Sequence, residues 1–523
     1  MEKILKKLKK LLRLIFGRTT LGTLFLLIQI LVLFAGFNWF REYLIYMYGG
    51  SAMLSALVLI YIISDEGNST IKLSWVVPIL IFPVFGTLFY LFLTLQPGTR
   101  RINRRIEEVG TKLRPYLLQD PEVLAHYESI SASGGNLVRY MNQYGRFPAY
   151  ENTGVRYFPL GDDMFPVLLE ELKKAEHFIF MEYFIVEHGV MWDAILQVLE
   201  TKVAEGVEVR FMYDGMGNLF TLPHGYEKAM QEKGIQCKIF APVRPALSSY
   251  QNNRDHRKIC VIDGHTAYTG GVNLADEYIN RKVRFGHWKD NAIRLKGEAV
   301  KNFTVMFLQM WDVCSKKPDS DFDYSPYLDT GDYFHSPELD MDGFSIPFSD
   351  SPIDGEAVGH QLYLDIIYQA KKYVYIMTPY LVLDDDMITA LTYAAKRGVD
   401  TVIIMPHIPD KKSAFMLAHS YYTELIEAGV KIYEYLPGFV HSKTFVSDGE
   451  KAVVGSVNMD FRSQYLNFEC GVYIYENPVV EQIKKDFDET LPKCVRMTKE
   501  SVEALPALHK FCGKAMRLIA PLM

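Results

Sequence analysis

From Thr19 to Phe40, from Tyr43 to Ile63 and from Leu73 to Leu95 the chain carries no charged side chain. About 20 apolar residues wound as a helix cross the hydrocarbon layer of a membrane, and a helix satisfies its own backbone there. Each run is therefore predicted to be a membrane-spanning helix. Ahead of them, Met1–Arg18 carries Lys3, Lys6, Lys7, Lys9, Lys10, Arg13 and Arg18, with Ile4, Leu8, Leu11, Leu12 and Ile15 at helical spacing. That pattern predicts a basic amphipathic leader suited to an anionic lipid surface. Arg41 and Glu42 alone separate the first two runs, and Arg100, Arg101, Arg104 and Arg105 follow the third. Basic flanks on both sides of three crossings leave open whether two or three runs span, and which face holds the rest.

Past a linker at 100–150 the pattern changes to short apolar runs alternating with helical periods. FIFMEYFIV (178–186) leads through a helical stretch to EVRFMYD, and YVYIMTPYLV (373–382) leads through another to DTVIIMP. Helical patterns precede each unit, at Phe165–Ala175 and Gly359–Ala370. This is one strand–helix–strand plan written twice, which predicts two tandem α/β domains with mixed sheets flanked by helices. The first is expected at 151–315 and the second at 356–523. Between them 316–355, rich in Asp, Ser, Pro and Tyr, reads as a connecting segment. The last stretch, Ala507–Met523, mixes Leu508, Phe511, Met516, Leu518, Ile519 and Leu522 with His509, Lys510, Lys514 and Arg517. It is expected to be an amphipathic helix, either gripping anionic lipid or packed on the body.

Composition sharpens this only a little. With 523 residues, 49% of them hydrophobic, the chain can bury large cores and is not a disordered polyelectrolyte. A formal net charge of -6 argues against a nucleic-acid partner. Six cysteines show neither a CxxC nor a zinc-knuckle spacing, so neither a metal site nor a disulfide framework is expected.

The chemistry lies in a second repeat. DHRKICVIDGHTAYTGGVNLADEY gives His256, Lys258, Asp263, Gly270, Gly271 and Asn273; VHSKTFVSDGEKAVVGSVNMDFRS gives His441, Lys443, Asp448, Gly455, Ser456 and Asn458, all at a constant offset of 185 residues. In a strand, His and Lys two apart share a face, and the small residues after the next strand let a ligand approach the backbone. One such pair is unremarkable, but two complete copies in matched register are not. Two imidazoles, two ammonium groups and two amides suit a phosphodiester: one imidazole attacks phosphorus while the other moves the proton of the alkoxide. Each histidine then needs a carboxylate on its far nitrogen, and Asp290 and Glu469 are the candidates. The lysines would repel a metal, so none is expected at this site. His177, His188, His335, His360 and His407 are read as structural.

These phrases, with TPYLVLDDDMITAL and the Pro409–Asp410 pair after VIIMP, resemble the paired HKD motifs of the phospholipase D superfamily, and within it the bacterial cardiolipin synthases. The resemblance covers essentially the whole chain. It implies two halves facing each other across a pseudo-two-fold axis, a multi-pass protein of the bacterial plasma membrane, no cofactor, and phosphatidylglycerol and anionic membrane lipid as partners. The implied reaction joins two phosphatidylglycerol molecules into cardiolipin and glycerol. His256 would form a phosphatidyl-histidine and His441 act as acid and base. Lys258, Lys443, Asn273 and Asn458 would hold the phosphate, while Asp263 and Asp448 complete the motifs and brace the site. The apolar run Thr19–Phe40 and its basic leader are additions to the usual pattern. A phospholipase D releasing phosphatidic acid is the alternative; a nucleic-acid phosphodiesterase and a catalytically dead scaffold fit the sequence less well.

Overall fold

A computed structural model describes residues 44–94, 97–243, 252–315, 322–328 and 342–522, together with Leu27 and Leu31. The leader Met1–Arg18, and all of the first apolar run but those two leucines, lie outside the described residues. The chain divides into two compact units: Met1–Arg101 with Arg244–Asn252 and Leu518–Met523, and Ile102–Val243 with Asn253–Arg517.

In the first unit the second and third apolar runs form α1 (Leu44–Ser64), α2 (Ser69–Ile81) and α3 (Pro83–Thr94). Asn68 caps α2 by accepting from Thr70 N at 2.9 Å. Pro83 starts α3 where a missing N–H costs nothing. Gly86 lets α3 fold against Pro78 and Ile79, since an added Cβ would lie 2.8 Å from Ile79 Cα. Val58, Ile62, Ile79 and Tyr90 form a small core, pinned by a 2.8 Å bond between the Ser55 and Thr87 hydroxyls. Met53, Leu57, Ile60 and Ile63 project outward, each more than half exposed. Among the described residues no helix is long and apolar enough to cross a membrane.

The second unit takes in α4 (Pro97–Leu113) from Ile102 on, then α5 (Pro121–Ile130) and α6 (Ala132–Gln143), so the expected linker is largely helical. Asp120 and Ser131 cap α5 and α6 in turn. The first α/β half follows: β1 (Thr153–Phe158), α7 (Gly161–Lys173), β2 (Phe178–Tyr183), α8 (Val190–Ala204), β3 (Glu208–Asp214), α9 (Tyr226–Glu232), β4 (Gln236–Phe240), β5 (Arg254–Asp255), β6 (Lys258–Ile262), β7 (Thr266–Gly270), β8 (His287–Lys289), β9 (Ala292–Gly297) and α10 (Val300–Val313). After a one-turn α11 (Ser325–Leu328) the plan recurs. Its elements are β10 (Phe344–Asp350), α12 (Val358–Gln369), β11 (Tyr373–Met377), α13 (Asp385–Lys396), β12 (Asp400–Pro406), α14 (Lys412–Glu427), β13 (Lys431–Tyr435), β14 (Gly438–Val440), β15 (Thr444–Ser447), β16 (Lys451–Gly455), α15 (Phe461–Tyr465), β17 (Asn467–Tyr475) and α16 (Val479–Thr490). β18 (Cys494–Arg496), α17 (Lys499–Glu503) and α18 (Ala507–Arg517) complete it.

The first sheet runs β1-β9-β7-β6-β2-β3-β4 and the second β10-β17-β16-β15-β11-β12-β13-β18. Strand for strand these are the same order, with β18 added at one edge. In each, a parallel trio (β2-β3-β4, β11-β12-β13) meets an antiparallel set, so the sheets are mixed as expected. The stretch read as a connecting segment contains β10, antiparallel to β17. Its Pro347, its serines and its Asp350 hid a strand buried on both faces; at the edge of the sheet a proline costs no ladder bond.

Asp263 and Asp448 sit at equivalent turns, both with positive φ (50° and 56°) ahead of a glycine. Asp263 accepts from the backbone N–H of Glu176, His177 and Phe178 at 2.7–2.8 Å. Asp448 does the same for Lys371, Lys372 and Tyr373 at 2.7–2.9 Å. Each carboxylate thus holds the entry to the first strand of its parallel trio. Five residues of β6, roughly 16 Å, separate Asp263 from Lys258, so the third residue of each motif braces the sheet and does not join the histidines. Asp263→Ala orphans three backbone donors; we expect it to lower unfolding stability by about 3 kcal/mol in chemical denaturation, whereas Asp263→Asn, which keeps an acceptor, should lose less.

Candidate active site

The two histidines stand just before the strands on which the sequence placed them. His256 follows β5, and β5 pairs in parallel with the start of β17. His441 follows β14, and β14 pairs in parallel with β8. Each histidine is therefore stitched to a strand of the opposite half: His256 N donates to Phe468 O at 2.9 Å, and His441 N to Lys289 O at 2.7 Å. In both partner strands the next residue carries a carboxylate, Glu469 after Phe468 and Asp290 after Lys289, and both carboxylates cross over. His256 Nδ1 lies 2.8 and 2.9 Å from the two oxygens of Glu469. His441 Nδ1 lies 2.6 Å from Asp290 Oδ2. Both of these histidine–carboxylate pairs thus contain one residue from each half, and the two motifs converge on one site.

An acceptor on Nδ1 fixes the tautomer that carries its proton there and leaves Nε2 with its lone pair. Burial pushes the His256 pKa down to about 4, with Lys258 and Lys443 adding to it and Glu469 opposing. Burial and then Lys443 push His441 to about 3 against the pull of Asp290. Both imidazoles are neutral at pH 7, the state a nitrogen nucleophile requires. Burial would raise Asp290 and Glu469, but the neighbouring histidine and lysine outweigh it and hold both below their ordinary range. Burial lowers Lys258 to about 8 and Lys443 to about 7. Each lysine reaches back to the carbonyl of its own histidine, and Lys443 Nζ also lies 2.8 Å from His441 Nδ1. Lys443 acts on His256 and Lys258 on His441, so the cations are shared across the halves.

Asn273 accepts from Ile185 N at 3.0 Å and donates to Tyr278 Oη at 2.8 Å. Asn458 donates to Ser463 Oγ at 3.0 Å, while its own oxygen is buried without a partner. Each amide spends one N–H on the segment that follows its motif and keeps a second.

Several parts of the site have no repeat to betray them. Position 271 is glycine where position 456 is serine. An added Cβ at Gly271 would lie 1.9 Å from Asp290 Oδ1, whereas Ser456 Oγ donates to Glu469 Oε2 at 2.5 Å. Arg257, buried between the motif's His and Lys, pairs with Glu182 at 2.5 Å and Asp255 at 3.3 Å. Phe184 stands edge-on to His256 at 4.9 Å, and Tyr278, Trp288 and Phe439 wall His441 at 5.5–5.8 Å. Asp290 and Glu469 are 179 residues apart, six fewer than the motif offset of 185, so they fall outside the constant register of the repeat.

Two α/β halves with one composite histidine–lysine site define a phospholipase D-like architecture. The solved phosphatidylserine synthase of Haemophilus influenzae Rd KW20 shares this fold, with a TM-score of 0.54 over 74% of this chain and 99% of that one at 15% identity. The family model described as cardiolipin synthase, PLD-like domain matches residues 168–311 and 363–491, and that of the phospholipase D-nuclease N-terminal matches 53–93. A cardiolipin synthase of Geobacillus sp. is 34% identical over 91% of this chain and 94% of its own length. One from Alkalihalophilus pseudofirmus is 33% identical over 89% and 91%. An uncharacterised protein of Streptococcus mutans serotype c is 47% identical over 89% and 99%. The chain belongs to the cardiolipin synthase family of phospholipase D-like proteins.

Glu469→Gln and Asp290→Asn preserve shape but remove the charge that orients each imidazole. Each is expected to lower turnover of a phosphodiester substrate by about a hundredfold to ten-thousandfold with KM little changed, as read from initial-rate kinetics.

Proposed function

We propose that the chain makes cardiolipin by transferring a phosphatidyl group between two phosphatidylglycerol molecules, and that His256 carries that group. The crossed pairing of His256 with Glu469 and of His441 with Asp290 is the observation that supports this reading most strongly. A phosphodiester anion between Lys258 and Lys443 offsets their charge, which raises the pKa of both lysines and lifts the pressure on the imidazoles. The bond from Asp290 to His441, at 2.6 Å, is the shorter of the two pairs. With Lys443 engaged by phosphate, that bond favours an imidazolium at His441. His256, still neutral, attacks phosphorus through Nε2. As the P–N bond forms, the bond to the glycerol headgroup oxygen breaks, and His441 gives that oxygen its proton. Glycerol leaves, and the hydroxyl of a second phosphatidylglycerol takes its place. His441 withdraws the hydroxyl proton, oxygen attacks phosphorus, the P–N bond breaks, and His256 is restored. Lys258 and Lys443, with the spare amide hydrogens of Asn273 and Asn458, hold the phosphoryl oxygens as charge shifts onto them.

The substrate is insoluble, and tethering the body to its bilayer raises the local concentration without tighter binding. We assign that role to the apolar runs, on the strength of their uncharged length and of the exposed faces of α1 and α2. α18 packs on the body and also keeps an exposed apolar and basic face, which supports a role at the lipid surface. Gly513 lets it pack closely on α14, where an added Cβ would lie 2.3 Å from Met416 O. Leu508 and Phe511 remain about 70% exposed beside Lys510 and Lys514.

In phosphatidylglycerol vesicles the protein is expected to release glycerol and form cardiolipin, and His256→Ala and His441→Ala should each remove at least about 99% of the rate. Phosphatidic acid as the main product, or full turnover by either variant, would refute the proposal. Leu508→Glu with Phe511→Glu is expected to raise the apparent KM for vesicle lipid several-fold, with kcat and melting temperature unchanged.

A further inference from the structure

His360, read from sequence as structural, presents a nitrogen that structure alone does not account for. It lies in the first turn of α12 and is 2% exposed. Its Nδ1 is 3.0 Å from Gln464 Oε1, an acceptor, so Nδ1 is the nitrogen that bears the proton. Nε2 then offers a lone pair, and it has no hydrogen-bond partner. What it faces is carboxylate: Asp384 Oδ2 at 3.5 Å. Nε2 and one oxygen each of Asp384 and Asp386 lie within 4.8 Å of one another. A buried lone pair turned toward two anions is repulsive, and only a positive charge between them relieves it.

Asp384 is already held in place. Its Oδ1 caps α13 by accepting from Met387 N at 2.9 Å, and its Oδ2 accepts from Tyr465 Oη at 2.6 Å. Those bonds orient the carboxylate toward His360. Asp386 is exposed, which gives an ion a way in and a side chain free to adjust. Ligands about 2.1 Å from a metal lie roughly 3–4 Å from one another, so a small rotation of Asp386 closes the set.

We propose that His360, Asp384 and Asp386 bind a divalent first-row transition metal of the zinc class. One imidazole with two carboxylates suits such an ion better than magnesium or calcium, which favour oxygen alone. The site shares no residue with the histidine–lysine site, and the metal's part is structural. Tyr465 ends α15, the short helix that follows Asn458, and Val382 N donates to Met459 O at 2.8 Å. The ion therefore ties the starts of α12 and α13 to the segment that leaves the second motif.

The test uses the full chain in detergent, stripped with a chelator and titrated with Co2+ as a spectroscopic probe and then with Zn2+. About one Co2+ per chain should bind with visible ligand-field bands, Zn2+ should displace it, and saturating Zn2+ should raise the melting temperature by several degrees. His360→Gln should abolish the bands. Asp386→Asn, at an exposed position that the fold does not need, should weaken binding about tenfold or more. No saturable binding up to about 1 mM, or equal binding by both variants and the parent, overturns the proposal.

Discussion

The bond between each histidine and a carboxylate of the other half is the constraint on which the body depends. A neutral imidazole in a buried site has no preferred orientation of its own, and two lysines beside it make its charged form costly. The carboxylate sets tautomer and direction together, and because it is borrowed across the halves, neither half holds a complete site. Neighbouring contacts repeat that exchange. β5 joins β17, β14 joins β8, and Lys289 forms a buried pair with Asp486 at 2.7 Å. Tyr157 Oη donates to the same Asp486 carboxylate at 2.7 Å. Leaving one member of such a pair buried alone costs several kcal/mol, so the ion pairs lock the register between the halves.

The halves are alike without being identical, and the differences compensate. In the second, the longer Glu469 reaches His256 with both oxygens and is steadied by Ser456. In the first, the shorter Asp290 sits where a Cβ at position 271 would be, and glycine stands there. One added methylene on the acid is matched by one added hydroxymethyl on the neighbouring strand. The pairing survives, while the bond lengths come out unequal.

The repeated strand–helix–strand units, the helices ahead of them and both motifs were legible because each is periodic or duplicated, and the structure places β2, α8 and β3 against β11, α13 and β12 as the spacing requires. The identities of Asp290 and Glu469 were legible too. Their crossing was not, because spacing within a half carries no information about which half a side chain faces. Asp263 and Asp448 look catalytic from sequence, being charged and duplicated, yet their oxygens are taken up by backbone N–H groups at the far end of the strand. β10 escaped notice because an edge strand tolerates the proline and serines that mark a loop elsewhere. Arg257 stands where the other half has Ser442, so comparing the halves did not single it out, and Ser456 drew notice only as a small residue of the motif.

The charge inventory sets what a bound phosphodiester changes. Two carboxylates face two lysines whose burial has brought their pKa values to about 8 and about 7. Without a ligand the lysines disfavour any proton on the histidines, and both imidazoles are bases. In the proposed reaction a phosphodiester brings one negative charge into contact with both ammonium groups, and the same charge lets one histidine hold a proton, so that substrate binding separates two chemically similar residues into a nucleophile and an acid. A site built from two like halves needs some such difference, and the carboxylates that meet the two rings, Glu469 and Asp290, are themselves unequal in length and in their bonds.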